Sequence, residues 1–248
     1  GVELVFLARH DEGHRIPPSD LNYRANIDAL KRAGVTDVLS LSAVGSLKEE
    51  LAPGAFVVVD QFIDRSFARN KSFFSEGCVA HVAMADPVCS RLSAMAADAA
   101  EAAGVETVQR GGTYLVMEGP QFSTRAESQL YRQWGCSVIG MTNMPEAKLA
   151  REAELPYASV SMVTDYDCWR TEDADVDISD ILRTMHANTV HAHALVRNLV
   201  KAMAATERTD SPQGIEKALE YAIITAPEKR DPALLAKLDA VAGRVLKA

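Results

Sequence analysis

Two aspartates directly follow a long uncharged stretch of the chain, and such a pair of carboxyl groups can do acid–base chemistry. Residues 157–164 are mostly apolar, β-branched or small, which predicts a strand buried on both faces. Asp165 and Asp167 follow at its carboxyl end, where ligands bind in an open α/β sheet. Because a carboxyl group in an apolar slot is poorly solvated, its pKa rises, and it can stay protonated and donate a hydrogen bond. The alternative is that the pair only shapes a loop or caps a helix.

Four further places near predicted strand ends offer groups that could bind a ligand. Arg9–His10 combines a fixed positive charge with an imidazole, which suits an oxyanion such as phosphate. The stretch Ser42–Ser46 turns from strand to helix, so its N–H groups and hydroxyls could face the same anion. Phe122 precedes a predicted helix and could stack on a flat ring or belong to the core. The pair Met141–Thr142 follows a strand, although Met is normally a core residue.

Composition narrows the class of protein. The 248 residues include 48% hydrophobic and 24% charged ones, as in ordinary globular proteins, and the formal net charge is −8. This charge argues against nucleic acid or an anionic membrane as the main partner. No apolar run reaches membrane-spanning length and the first residues show no signal-peptide pattern, so we expect a cytoplasmic protein.

Cysteines and histidines give no sign of a metal site. The four cysteines form no C-x-x-C pair and have no histidine at metal spacing, which predicts free thiols, no disulfide and no zinc. His186, His191 and His193 fall on different faces of one predicted helix. We therefore expect no metal.

Strands and helices alternate along the chain, which predicts an α/β fold with a mixed, mostly parallel central sheet flanked by helices, and extra helices at the C-terminus. A helix capped by Ser19 or Asp20 ends at Gly34, and Thr124 and Glu127 have the spacing of a capping box. The other elements discussed below are strands predicted at residues 2–7, 38–44, 56–60 and 105–108, and helices at residues 47–51, 178–204, 215–225 and 232–247.

A change in composition after the long helix predicts a boundary. Residues 206–214 are rich in Thr, Asp, Ser, Pro and Gly, which is typical of a linker. We therefore predict a main domain at residues 1–205, and a linker with a C-terminal helical extension at residues 206–248.

Several motifs resemble those of the trimeric purine nucleoside phosphorylases. They are Phe-Leu-Ala-Arg-His at residues 6–10, Asn-Tyr-Arg-Ala-Asn-Ile at 22–27, Asp-Gln-Phe-Ile-Asp-Arg at 60–65, the run from Glu118 to Ser128, Met-Thr at 141–142, and Thr-Asp-Tyr-Asp-Cys-Trp at 164–169. The resemblance covers residues 1 to about 200 with most motifs in register, so it is highly specific. It implies a nucleoside phosphorylase-like fold for the main domain.

The resemblance implies phosphorolysis of methylthioadenosine to adenine and 5-methylthioribose 1-phosphate. This is a pentosyl transfer in purine and methionine salvage, with phosphate as co-substrate and no other cofactor. Three alternatives stay open. They are a phosphorylase for 6-oxopurine nucleosides such as methylthioinosine or inosine, a nucleosidase that uses water, and a non-catalytic purine-binding or oligomer-building protein.

By the same resemblance, Asp165 is the general acid that donates to N7 of the leaving purine, and Asp167 accepts from the amino group of the base. A carboxyl at position 165 can also accept from a 6-amino group, whereas Asn there would suit a 6-oxopurine, so Asp favours adenine. The other implied roles are base binding by Phe122 and Ser123, ribose binding by Met141, phosphate binding by Arg9, His10, Ser42, Ala43 and Thr142, and a methylthio pocket of Ile178, Ile181 and His81.

The family also implies an assembly and an additional segment. His81 is expected from a neighbouring subunit of a homotrimer or a dimer of trimers, whereas Ile178 and Ile181 could simply be amphipathic helix core. Family members carry a strand and a Gly-rich phosphate loop ahead of the position of residue 1. We expect these residues to be missing only from the present sequence. Without them the molecule would lack half of its phosphate cradle, and its activity would be in doubt.

Overall fold

Seven strands form one mixed sheet in the part of the chain that the structure describes, a computed structural model of residues 1–170 and 178–246. The strands are β1 (Val38–Ser46), β2 (Phe56–Val59), β3 (Gln61–Asp64), β4 (Val108–Arg110), β5 (Thr113–Val116), β6 (Val138–Gly140) and β7 (Tyr157–Asp165). Their order across the sheet is β3-β5-β6-β1-β7-β2-β4. Neighbours are parallel except for β1 with β6 and β2 with β7. The predicted mixed, mostly parallel sheet is confirmed.

Helices cover both faces of the sheet because its central strands are apolar on both sides. They are α1 (Tyr23–Arg32), α2 (Ser90–Ala102), α3 (Arg125–Gln133), α4 (Asn143–Glu152), α5 (Ile178–Ala205), α6 (Pro232–Lys237) and α7 (Gly243–Leu246). In β2, Val57 and Val59 face the core shared with α1 and α4, whereas Phe56 and Val58 face the core shared with α2 and α5. β7 is buried along almost its whole length, as predicted. None of the described helices is long and apolar enough to cross a membrane.

The first residues do not form the strand predicted at residues 2–7, and Phe6 is 78% exposed. These residues lie along a cavity of about 770 Å³ next to β1. Residues 38–44 of β1 pair with β7 on one side and with no described strand on the other. The prediction is wrong because a strand requires a hydrogen-bonded neighbour, and an apolar pattern alone does not supply one.

Other differences concern the ends of elements. Neither Ser19 nor Asp20 caps α1, which begins at Tyr23 without a side-chain cap. Residues 47–51 form turns instead of a helix, and the strand predicted at 105–108 begins only at Val108. Segments this short contain too few turns for the apolar period to separate a helix from a turn.

The C-terminal segment forms shorter helices than predicted and packs into the main core. Residues 215–225 contain one 3-10 turn at Ile215–Lys217, and the helix predicted at 232–247 is divided into α6 and α7. Leu219, Leu238 and Val241 are each 1% exposed and belong to the same apolar cluster as residues of α1 and α4. Burial of each such side chain stabilises a fold by about 1.5–3 kcal/mol, so this segment stabilises the whole molecule.

The buried Glu154 also anchors this segment. It follows α4, and its carboxylate accepts hydrogen bonds from Nη2 and Nε of Arg244 at 2.7 and 2.8 Å and from the backbone N–H of Leu219 at 2.9 Å. Residues 222–225 then run beside residues 79–81, with the N–H of Ile224 donating to the carbonyl of Val79 at 2.9 Å. The C-terminal segment thereby supports the stretch that contains His81.

Candidate active site

The carboxyl ends of β1 and β7 bring residues predicted to bind phosphate and base to the same end of the sheet. The two strands are parallel, with Ser42 opposite Ser161 and, after a bulge, Gly45 opposite Asp165. Thr142 follows β6, and its hydroxyl oxygen lies 2.9 Å from that of Ser42. The side chains of Ser42 and Thr142 are buried. Ala43, which lies between Ser42 and the bulge in β1, is exposed.

The carboxyl groups of Asp165 and Asp167 are each fixed by hydrogen bonds. Oδ2 of Asp165 accepts from the Thr164 hydroxyl at 2.8 Å, and Oδ1 accepts from the N–H of Asp167 at 2.7 Å. Oδ2 of Asp167 accepts from the fully buried Ser128 hydroxyl at 2.5 Å. The pair is therefore fixed by short-range contacts from β7 and from α3.

Burial raises the pKa of both carboxyl groups. For Asp165 the desolvation outweighs the hydrogen bonds from Thr164 and the backbone, which lower the pKa. For Asp167 burial raises the pKa to about 6, with a further contribution from the negative charge of Asp165 and an opposing one from Ser128. The direction expected from the sequence is confirmed, and these groups can hold a proton closer to neutral pH than an exposed aspartate can.

The backbone of β1 packs closely against this pair at Gly45. A Cβ added to Gly45 would lie 3.1 Å from Oδ1 of Asp165 and 3.3 Å from Cβ of Asp167. Asp167 itself has a φ of 53°, which few non-glycine residues adopt. Such strain persists only where the surrounding contacts hold it, and it is common at functional sites.

The proposed base residues lie on a loop connected to this pair. The carbonyl of Ser123 accepts from the Cys168 thiol at 3.2 Å, and the Ser123 hydroxyl lies 3.5 Å from Sδ of Met117. Phe122 is 56% exposed, so its ring is not part of the core. The predicted capping box is confirmed, because Thr124 and Glu127 cap α3 reciprocally. This cap begins the helix that carries Ser128.

A buried arginine joins the base loop to the proposed ribose residue. Nη1 of Arg69 donates to the carbonyls of Met141 and Met144 at 2.5 and 2.6 Å, and Nη2 donates to the carbonyl of Glu118 at 2.6 Å. Gly119 has a φ of 68°, and a Cβ there would lie 2.5 Å from Sδ of Met141. The two loops are thus in direct contact, and Arg69 satisfies their carbonyl groups.

The residues proposed to bind phosphate include Arg9, whose guanidinium is held by an ion pair, and His10 with its imidazole. Arg9 makes a bidentate ion pair with Glu146 and donates to the Ser40 hydroxyl at 2.6 Å. Nδ1 of His10 lies 2.8 Å from the carbonyl oxygen of Ile16. Burial lowers the pKa of His10, which favours its neutral form.

A glycine at the end of β6 fits closely against a buried tyrosine. A Cβ added to Gly140 would lie 2.0 Å from the hydroxyl oxygen of Tyr114, and Tyr114 is 0% exposed. Gly140 immediately precedes Met141–Thr142. The position of Met141 and Thr142 therefore depends on Gly140, a residue for which no side chain larger than hydrogen fits.

The residues assigned to the methylthio pocket are not joined to this group by the described contacts. His81 is exposed, and its backbone N–H donates to the carbonyl of Ala222 at 2.9 Å. Ile181 is half-buried in α5. The side chain of Ile178 lies outside the described residues. The assignments at these three positions remain predictions.

Comparison with known families gives the chain a place among them. A model of the Phosphorylase superfamily matches residues 1–201. The chain belongs to the phosphorylase superfamily. It is 65% identical over 247 residues to the S-methyl-5'-thioadenosine phosphorylase of Cereibacter sphaeroides. The aligned residues cover 100% of this chain and 84% of that relative. A protein of the same name from Bradyrhizobium diazoefficiens is 62% identical over 247 residues, with the same coverage.

Solved structures of phosphorylases have the same fold as this chain. A methylthioadenosine phosphorylase from an antarctic soil metagenomic library is 43% identical, with a TM-score of 0.88 over 95% of this chain and 82% of that one. A mutant adenosine/methylthioadenosine phosphorylase from Schistosoma mansoni, in complex with methylthioadenosine, is 34% identical, with a TM-score of 0.81 over 87% of this chain and 81% of that one. The predicted nucleoside phosphorylase-like fold class is confirmed.

Several residues of the candidate site were not predicted from the sequence. Glu146, Tyr157 and Arg69 act through contacts between distant parts of the chain, and Ser128 lies inside a helix without a catalytic motif. The available signal was a charged residue in an apolar surrounding, such as Arg69 in a stretch rich in Phe. That signal indicates burial but not the partner.

Proposed function

We propose that the protein catalyses phosphorolysis of S-methyl-5'-thioadenosine, which yields adenine and 5-methylthioribose 1-phosphate. Its family and its 65% identity to a protein of that name support this reaction. The structural observation that carries the proposal is a carboxyl pair of raised pKa, with Asp167 buried and Asp165 half-buried, at the same end of the sheet as two buried hydroxyls. A general acid and an anion site are the two parts that phosphorolysis requires.

In this reaction a phosphate oxygen forms a bond to the anomeric carbon while the bond from that carbon to N9 of the purine breaks. The bonding electron pair moves onto the base, and the sugar resembles an oxocarbenium ion in the transition state. Asp165 donates its proton to N7 as negative charge develops on the base, and Asp167 accepts from the exocyclic amino group. The raised pKa values of the pair support a carboxyl group that is protonated before turnover.

The remaining site residues have proposed roles according to their position. Phe122 stacks on the base and Ser123 lies at its edge, while Met141 contacts the ribose. Arg9, His10, Ser42, Ala43 and Thr142 bind phosphate, and Ile178 and Ile181 line the methylthio pocket. Phosphate is a co-substrate, and the reaction needs no further cofactor.

The exposed His81 supports an oligomeric site. A side chain that completes a pocket within its own subunit would be partly buried, whereas His81 is exposed on the stretch paired with residues 222–225. We propose that His81 reaches the methylthio pocket of a neighbouring subunit in a homotrimer or a dimer of trimers. Native mass spectrometry of the protein would give the subunit number, and a monomer with full activity would contradict this arrangement.

Phosphate dependence tests the reaction directly. With methylthioadenosine as substrate, adenine release should require phosphate, and one sugar 1-phosphate should form per adenine, detected by phosphorus NMR. Equal rates of adenine release without phosphate would show a nucleosidase instead. Tight adenine binding without turnover would favour a purine-binding protein.

Comparison of purines tests the specificity. The 6-amino substrate should react faster than methylthioinosine, because a 6-oxo group would face the carboxylates without a hydrogen to donate. Faster cleavage of the oxo substrate would overturn the role of Asp165 and Asp167.

A further inference from the structure

Arg9, the arginine at the proposed phosphate site, lies in a turn. Arg9 follows residues 1–8, which form neither helix nor strand. The adjoining loop is closed by three backbone hydrogen bonds, in which the N–H groups of Asp11, His14 and Ile16 donate to the carbonyls of Ala8, Asp11 and His10. Arg9 also carries a long, flexible side chain. The position of its guanidinium therefore depends on side-chain partners.

Glu146 is the main partner of this guanidinium. Its Oε2 accepts from Nε of Arg9 at 2.6 Å, and its Oε1 accepts from Nη2 at 3.0 Å. Such a two-point contact fixes the plane of the guanidinium as well as its distance. The side chains of Arg9 and Glu146 are 15% and 10% exposed. Burial by itself lowers the pKa of Arg9, but the charge and hydrogen bonds of Glu146 raise it above its usual value, so the guanidinium stays charged.

Glu146 is itself held by the rigid part of the fold. It lies in the first turn of α4, and the Tyr157 hydroxyl at the start of β7 donates to its Oε1 at 2.9 Å. Tyr157 is 1% exposed, and burial raises its pKa well above the usual value, so its hydroxyl keeps the proton that it donates. Tyr157 of β7 therefore holds Glu146, and Glu146 in turn holds Arg9.

One nitrogen of Arg9 remains available for a ligand. Among the residues that the structure describes, Nη1 makes one long hydrogen bond, 3.5 Å to the carbonyl oxygen of Leu41, whereas Nε and Nη2 are engaged by Glu146 and Ser40. Leu41 directly precedes Ser42, whose hydroxyl lies 2.9 Å from that of Thr142. We propose that Glu146 is a positioning residue that directs Nη1 of Arg9 towards the anion bound at Ser42 and Thr142. This inference rests on the proposed function.

The direction in which Glu146→Gln changes the affinity for phosphate shows whether Glu146 acts by orienting Arg9 or by its own negative charge. A carboxylate near the site repels phosphate, so if its charge were its main effect, Glu146→Gln would bind phosphate more tightly. If Glu146 orients Arg9, the same change removes the two-point contact and weakens binding, although the site becomes more positive. Displacement of a reacting group by about 1 Å can lower a rate about 100-fold.

We would measure phosphate affinity by calorimetry and the KM for phosphate and for nucleoside by steady-state kinetics. For Glu146→Gln we expect about 10-fold or more weaker phosphate binding and a matching rise in the phosphate KM. The nucleoside KM and the affinity for adenine should change by less than about 2-fold. Tyr157→Phe keeps the ion pair but releases Glu146, and it should weaken phosphate binding by about 3-fold.

Glu152→Gln is the matched control. Glu152 lies on the same helix, is similarly buried, and accepts from Ser72 and the N–H of Phe73 instead of from Arg9. Its replacement should lower stability without changing phosphate affinity. Tighter phosphate binding in Glu146→Gln, or equal losses for phosphate and adenine, would overturn the proposal. If Glu146→Gln does not fold, unchanged phosphate affinity in Tyr157→Phe would overturn it. Absence of phosphate-dependent turnover in the wild-type protein would instead contradict the proposed function, since phosphate binding is measured separately.

Discussion

Two neighbouring carboxyl groups share the environment that raises their pKa, but they differ in degree. The pKa of Asp167 rises to about 6, because burial is its largest influence and the charge of Asp165 adds to it. Asp165 is the proposed donor, and its pKa is also raised by burial. Since the charge of Asp165 raises the pKa of Asp167, the two titrations are coupled, and a proton held by the pair can pass to the purine from Asp165.

Replacement of Asp165 by Asn tests the general acid. The amide can still contact N7 but cannot give up a proton, so turnover of methylthioadenosine should fall about 100-fold or more. Burst and steady-state measurements of adenine release would show whether the chemical step is affected. A change of less than about 3-fold would exclude Asp165 from this role.

The pH profile should report the proton on the pair. Asp167 gives up its proton as pH rises through its pKa of about 6, and the coupled pair then holds one proton fewer, so kcat/KM for the nucleoside at saturating phosphate should decline as pH rises through this value. The Ser128 hydrogen bond lowers the pKa of Asp167, so Ser128→Ala should move this decline to higher pH. Ser90→Ala, at an exposed position of α2, is the control. A decline at unchanged or lower pH in Ser128→Ala would contradict the assignment.

At the scale of elements, the site depends on how α3 begins. The capping box fixes its first turn, with Glu127 accepting from the N–H of Thr124 at 2.7 Å. The sequence predicted this cap, and it predicted β7 with its carboxyl pair, because both features follow from residues close together in the chain. It did not predict the pairing of Arg9 with Glu146, which are 137 residues apart. Contacts across such a distance are set by the arrangement of strands, which a single sequence does not specify.

Loss of the cap should disturb the candidate active site, because Ser128 of α3 donates a hydrogen bond to Asp167. Thr124→Ala should lower the free energy of unfolding by about 1 kcal/mol. It should also weaken adenine binding, because Ser128 lies in the second turn of the same helix. Urea unfolding and calorimetry would measure both effects. Thr189→Ala, at an exposed position of α5, should change neither by a comparable amount.

At the scale of the whole molecule, the C-terminal segment belongs to the main core. The linker-like composition of residues 206–214 is a correct local signal, but it does not reveal that Leu219, Leu238 and Val241 are buried beside α1 and α4. Likewise, the apolar pattern of residues 2–7 predicted a strand but could not supply a partner for it. In both cases the missing information was which surface a segment meets.

The anchor of this segment gives a test. Glu154→Ala would leave the buried N–H of Leu219 without its acceptor, while the half-exposed Arg244 would keep Glu220, which should cost about 1–3 kcal/mol of stability. Hydrogen exchange should become faster at residues 222–225 and at the paired residues 79–81. Glu50→Gln, a change at an exposed carboxylate, provides the control. Unchanged exchange at both stretches in Glu154→Ala would show that their pairing does not depend on the anchor.

The contact between Gly140 and Tyr114 restricts which residues evolution can place at position 140. A methyl group at position 140 would overlap the phenol, so even alanine would displace either the ring or the adjoining Met141–Thr142. A smaller residue at position 114 would make room for the methyl group but would also remove a fully buried ring from the core, so one further mutation does not restore the packing. A library randomised at position 140 should therefore return glycine alone among functional clones.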